Sequence, residues 1–171
     1  LSLGDIVVSE SIRIAGNYFD NEIMNYVQYQ HGLLIGPYTA KRVKEEIATL
    51  RENLPDEKYT LVNGRDLLSG LPRQIVLKQS EVREVLKPAF ATISNVVLKV
   101  LQQTPPELSS DIIEGGILVN GGCALIDGVD EFFQKQIGLN VYVSKDPLTS
   151  IVEGTKVLLK NRGNYFIKPI E

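Results

Sequence analysis

Asn120-Gly121-Gly122-Cys123-Ala124-Leu125-Ile126-Asp127-Gly128, preceded by the apolar run Gly116-Ile117-Leu118-Val119, is the stretch that decides how this chain is read. A short β-branched run, a glycine pair and then apolar residues at helical spacing spell a strand that turns into a helix. Without a Cβ at Gly121 and Gly122 a flat ligand can lie against the backbone, and the free N–H groups of the following turn face outward. Two glycines ahead of a helix also make an ordinary tight turn, so the motif alone defines no ligand.

Outward from there, the predicted helix carries Leu125, Val129, Phe132, Phe133 and Ile137 and closes at Gly138. Leu139-Asn140-Val141-Tyr142-Val143 reads as the next strand, which gives a right-handed parallel βαβ unit. Asp146-Pro147-Leu148-Thr149 starts a last helix with Ile151, Val152, Val157 and Leu158. Upstream, Thr104-Pro105-Pro106-Glu107-Leu108 opens a short helix with proline at its start, and Asp111-Ile112-Ile113 leads into the strand Ile117 to Val119.

The first half alternates more irregularly. Asp5 to Ile14 has apolar residues at period two and predicts a strand, broken by Ala15-Gly16-Asn17. Phe19, Ile23, Met24 and Val27 then define a helical face from Tyr18 to Tyr29, with Asn17 as N-cap, Asp20 in its first turn and Gly32 as its stop. Thr39 is the expected cap of a second helix with the stripe Val43, Ile47, Leu50, Leu54. Pro55 to Lys58 is a turn, Tyr59 to Val62 a strand, Asn63 to Asp66 a second turn, and Gln74 to Lys78 another strand. Ser80 should cap a helix from Glu81 to about Leu101, interrupted or bent at Pro88.

Composition excludes several classes. With 43% apolar and 23% charged residues among 171, the chain is an ordinary globular sequence. The net charge of −3 and the absence of any basic block argue against nucleic acid as a partner. No apolar run approaches the roughly 18 residues of a membrane span. One cysteine and one histidine, Cys123 and His31, provide no soft metal cluster and no internal disulfide, which points to a reducing, cytoplasmic setting. His31 reads as a helix C-terminal residue favoured by the dipole, and Cys123 as a small buried residue, since no histidine lies near it in sequence to activate it. Glu46, Glu81, Arg83 and Glu84 read as solvated charges. The chain starts at Leu1 without a methionine and runs at once into a strand-like segment, the expectation for a piece of a longer protein.

Six segments carry a more specific signal: Ser11-Ile12-Arg13-Ile14-Ala15-Gly16, Leu34-Ile35-Gly36, Thr39 to Ile47, Gly64 to Pro72, Thr104 to Leu108 and Asp146 to Thr149. In order and spacing they resemble the second half of MreB, the bacterial actin homologue. The resemblance implies an α/β, actin-like (ribonuclease H-like) lobe with a parallel βαβ unit and an inserted smaller α+β subdomain. It places subdomain IIA at residues 1–36 and 91–171 and subdomain IIB at 37–90.

It further implies an ATP/ADP-binding protein that self-associates into cytoplasmic filaments at the inner face of the membrane and controls bacterial cell shape. Cell-shape proteins and the first lobe of the same protein would be its partners. The phosphate hairpins, the Mg²⁺-organising aspartate and the water-positioning residue lie upstream in the family, so this chain would hold no catalytic or metal residue and would not hydrolyse ATP alone. The adenosine side maps onto Gly16, Lys44 and Glu45, and onto Gly121, Gly122, Cys123, Ala124 and Leu125. Two departures stand out: Lys41 occupies the place of an acidic residue and cannot accept a hydrogen bond from a sugar hydroxyl, leaving that contact to Glu45, and Cys123 replaces a third glycine. Asp56 to Gly70 is the candidate contact between subunits. The alternatives are an actin-fold scaffold that binds nucleotide without turnover and docks partners, and a sugar kinase or chaperone of the same superfamily, disfavoured by the Gly64 to Pro72 stretch.

Overall fold

The computed structural model describes residues 6–160. Residues 1–5 and the tail from Asn161 onward, with the sequence readings that fall on them, lie outside the described residues. Two sheets organise the chain. Helix α1 (Gly16–His31) buries Phe19, Ile23 and Val27, the predicted stripe, and stops at Gly32, whose φ of 60° is the left-handed C-cap expected of it. The helix starts one residue before Asn17, with extended Ala15 in the cap position and no side-chain cap. Its first turn is held instead from outside, by the Lys44 ammonium donating to the Gly16 carbonyl at 2.9 Å.

Strand β1 (Leu33–Leu34) leads to α2 (Pro37–Ile47). Pro37 occupies the first helical turn and Gly36 the cap, so Thr39 sits inside the helix rather than capping it. Strands β2 (Tyr59–Asp66) and β3 (Pro72–Lys78) form an antiparallel hairpin, and β1 pairs antiparallel with the far end of β2. The turn predicted at Asn63 to Asp66 is therefore strand. Gly64 allows this because a Cβ there would lie 2.3 Å from the Leu34 carbonyl oxygen, where β1 crosses closely. The reversal comes four residues later, with the Asp66 carboxylate accepting from the Leu68 and Ser69 N–H groups.

Helix α3 (Gln79–Gln103) runs unbroken through Pro88. Leu86, Ala89 and Phe90 are all buried around the proline, and that packing outweighs the lost hydrogen bond. The Lys78 N–H donates to Glu81 Oε2 at 2.9 Å, so Glu81 completes the cap where Ser80 was expected. β1 lies on the N-terminal side of position 36 yet pairs with β2, and α3 passes straight through position 90; these elements join the expected segments to one another.

The second sheet pairs β4 (Ile117–Val119), reached through α4 (Ser109–Gly115), in parallel with β5 (Val141–Val143). The connection contains α5 (Val129–Ile137), so the predicted βαβ unit is present. The helix does not start at the glycine pair, however. Gly122–Leu125 is a 3₁₀ turn, and the chain then leaves helical geometry because the Asp127 carbonyl accepts from the Leu50 N–H at 2.8 Å. Gly128, at φ 75°, restarts it; a Cβ there would meet Arg51 Cγ at 2.7 Å. Residues 6–15 form no strand despite their alternation, since neither sheet contains them and alternation without a pairing edge gives no ladder. Helix α6 (Ser150–Lys160) closes the described chain and buries none of its residues. A cluster of aromatic rings joins the layers: Phe19 of α1 stacks on Phe90 of α3 at 4.9 Å between centroids, and Phe133 of α5 lies 5.9 Å from Phe90.

Candidate functional site

Phe19 of that cluster also lines a cavity of about 740 Å³. Its floor is the start of α1, with Ile14, Gly16 and Phe19; α2 supplies Lys41, Lys44 and Glu45; the opposite wall is the loop Asn120 to Cys123 with Leu125. Ile93 of α3 and Leu148 beyond β5 complete the apolar lining. Apolar walls with a few converging polar groups, at this size, describe a small-molecule site.

Of the residues read from the sequence, Gly16, Lys41, Lys44, Glu45, Gly121, Gly122, Cys123 and Leu125 all border this space. Ala124 does not: it is 4% exposed and packs behind the loop. The loop bends where only glycine is at ease. Gly121 has φ 91° and ψ 170°, and its N–H donates to the Pro147 carbonyl at 2.9 Å, which fixes the loop against the segment that carries Leu148. A Cβ at Gly122 would reach Leu148 at 3.6 Å, ordinary contact. The Ser150 hydroxyl donates to Asn120 Oδ1 at 2.8 Å and ties α6 to the same loop.

The two lysines of α2 behave differently. Lys44 Nζ is 2.7 Å from Asp20 Oδ1, with both side chains 11% exposed, and it donates to the Gly16 carbonyl. Asp20 Oδ1 receives no well-aligned hydrogen bond, so it is compensated by the nearby charge and not by a directed donor. Lys41 Nζ lies 3.8 Å from Glu45 Oε1 on the rim, with both side chains mostly in water. Burial pushes the Cys123 thiol above its usual range, with the Lys44 charge opposing and the Asp20 charge adding to that rise. The thiol is therefore no ready nucleophile, in line with its reading as a small, half-buried residue.

Asp20 is what the sequence reading missed, having taken it for a charge placed to suit the helix dipole. Position 20 is four after Gly16 and three before Ile23, on the buried stripe, and a carboxylate on such a stripe calls for a cation from another element. Ile14, Ile93 and Leu148 carried no such signal. His31, read as a dipole residue, also pairs with Glu81 at 3.0 Å, and Tyr26 donates to the same carboxylate oxygen at 3.0 Å. Among the described residues no group of three or more His, Cys, Asp or Glu side chains could hold a metal ion, and no helix is long and apolar enough to cross a membrane.

The fold and cleft define an α/β lobe of the actin-like class, and comparison with solved structures agrees. MreB5 of Spiroplasma citri bound to ADP superimposes with a TM-score of 0.89 at 41% identity, over 93% of this chain and 48% of that one. The same protein bound to AMPPNP gives 0.88, also at 41% identity, over 94% and 48%. A MamK double helical filament, at 21% identity and a TM-score of 0.72 over 88% of this chain and 46% of that one, shares the fold. The family described as MreB/Mbl protein matches residues 1–166, and the chain belongs to that family. The cell shape-determining protein Mbl of Bacillus subtilis is 42% identical over 161 residues, 94% of this chain and 48% of the relative. MreB of Escherichia coli is 41% identical over 155 residues, 90% and 44%. The chain thus spans about half the length of the curated relatives it matches.

Proposed function

We propose that this chain is the adenosine-side lobe of an actin-like ATPase that polymerises into cytoplasmic filaments controlling bacterial cell shape. The carrying observation is the convergence of the start of α1, the α2 lysines and the glycine loop on one cavity of nucleotide size. Relatives seen with ADP and with AMPPNP, and others described as cell shape-determining, support the reading. In it, Gly121 and Gly122 pass the base close to the backbone, Leu125, Ile93 and Leu148 wall it, and Lys41, Lys44 and Glu45 face the sugar, with Ala124 supporting the loop from behind. The phosphates and their Mg²⁺ are met by residues outside this chain. The subdomain division at 36/37 and 90/91, the assignment of Asp56 to Gly70 to the subunit contact, and filament placement at the inner face of the membrane belong to the same proposal.

High-speed pelleting of the intact protein with ATP, with ADP and with neither, alongside phosphate release, tests it. Nucleotide-dependent pelleting with release is the expected result. A second reading, a nucleotide-binding scaffold without turnover that docks partner proteins, is favoured by one observation. Lys41 and Cys123, the two departures from the family pattern, both border the cavity. Pelleting without release would select that reading.

A further inference from the structure

Asp20 is a buried charge to which the nucleotide reading gives no task. Its residue is 8% exposed on the packed face of α1, and its Oδ1 lies 2.7 Å from the ammonium of Lys44. That ammonium also donates to the Gly16 carbonyl at 2.9 Å. One donor direction of the ammonium is thus committed to α1, and the Asp20 carboxylate lies against it as a counter-charge, so Lys44 meets the cavity it lines with its charge balanced. An uncompensated cation at the floor of an apolar cavity would draw an anion to it, whereas a neutralised one offers hydrogen-bond donation without net charge.

We propose that Asp20 is a positioning residue for ligand binding: it neutralises Lys44 and fixes it against Gly16, so that this end of the cavity accepts the uncharged nucleoside end of a nucleotide and turns its phosphates away. The inference rests on the nucleotide reading above. The apolar side chains around the floor, Ile14, Phe19 and Ile93, fit a neutral group there. The rim pair, Lys41 with Glu45, is too exposed to set the charge of the floor. Cys123 reports on the arrangement, because its thiol feels both the Lys44 and the Asp20 charges and is the single cysteine of the chain.

The test measures two things in the wild-type protein, Asp20→Asn, Asp20→Glu and the double variant Asp20→Asn/Lys44→Met. One is the pH profile of Cys123 alkylation without ligand; the other is equilibrium binding of adenosine and of ADP. Lys44 and Asp20 are the charges acting on the thiol, and Lys41 and Glu45 share the cavity with it. Asp20→Asn should move the alkylation midpoint to lower pH, weaken adenosine several-fold and raise the preference for ADP over adenosine. Asp20→Glu should bring both measures back toward wild type. If Asp20→Asn does not fold, the double variant carries the test: its floor stays neutral, so its ADP preference and thiol midpoint should remain near wild type, and a shift toward ADP there overturns the proposal.

Equal loss of adenosine and ADP in Asp20→Asn with an unmoved thiol profile would make Asp20 merely structural and also overturn it. Wild-type protein that binds neither ligand, while Asp20→Asn still shifts the thiol, would instead remove the nucleotide reading and the orientation built on it, leaving only the neutralisation of Lys44.

Discussion

The floor and the rim of the cavity each hold a lysine from α2, three residues apart in sequence, and they differ in almost everything else. Lys44 on the floor is sealed against Asp20 and the Gly16 carbonyl, whereas Lys41 on the rim faces Glu45 across 3.8 Å in water. Helical spacing puts both on nearly the same face, so local sequence cannot separate them. What separates them is α1, which brings a carboxylate to one and nothing comparable to the other. A lysine's role is set here by the element that packs over it, and residue type and spacing supply only the opportunity.

The floor is where the comparison breaks most easily. Lys44→Met leaves Asp20 buried without its counter-charge, and losing one partner of a buried pair is expected to cost about 3–5 kcal/mol of stability. Urea unfolding measures it, and the double variant with Asp20→Asn should recover most of the loss. A Lys44→Met protein as stable as wild type would mean that the floor is as wet as the rim. The opposite wall comes next: Gly121→Ala places a Cβ at φ 91° and ψ 170°, a backbone region almost confined to glycine, with an expected loss of roughly 1–3 kcal/mol. Gly122→Ala, with only ordinary contact to Leu148, should lose clearly less, and equal losses would show that the loop is not strained at Gly121.

A third prediction moves away from the cavity, to a carboxylate that is partly buried. Burial pushes the Glu81 carboxyl up, but hydrogen bonds from the Lys78 N–H, Tyr26 and His31 outweigh it and hold the group below its usual range. A depressed folded value means that the unfolded chain binds the proton more readily. The stabilisation is therefore fully present above the ordinary glutamate pKa of about 4.3 and is lost as pH falls through the depressed value. Glu81→Gln should flatten the acid limb of the stability curve. An acid limb identical to wild type would show that Glu81 is solvated like the rim carboxylate Glu45.

How much of this was legible follows the same division between local and tertiary causes. The α1 stripe, the Gly32 and Gly138 stops, the βαβ unit and about half of the cavity lining could be read, because periodicity, glycine and a family resemblance carry them. The turn predicted at Asn63 to Asp66 failed because Gly64 answers to β1 crossing above it, a contact 30 residues away in sequence. The break between the glycine loop and α5 failed for a like reason, since Leu50, Thr49 and Arg51 capture Asp127 from outside. Residues 6–15 have strand periodicity and no strand, because alternation records a preference and a ladder needs a neighbour. Asp20 is the instructive miss: its position on a buried stripe was visible, but its partner belonged to the next helix.

The smallest expected effect sharpens the contrast from the rim side. Lys41 and Glu45 are both well exposed and four residues apart on α2, the geometry of a helical ion pair in water. Such pairs contribute about 0.3–0.5 kcal/mol, because solvent screens the attraction and two long side chains must be ordered to make it. Lys41→Ala should therefore shift the urea midpoint barely beyond error, and added salt should erase the difference. If Lys41→Ala instead approaches the loss expected for Lys44→Met, the rim is covered in the intact protein by something that seals it, and Lys41 would then be a buried charge whose partner lies beyond this chain.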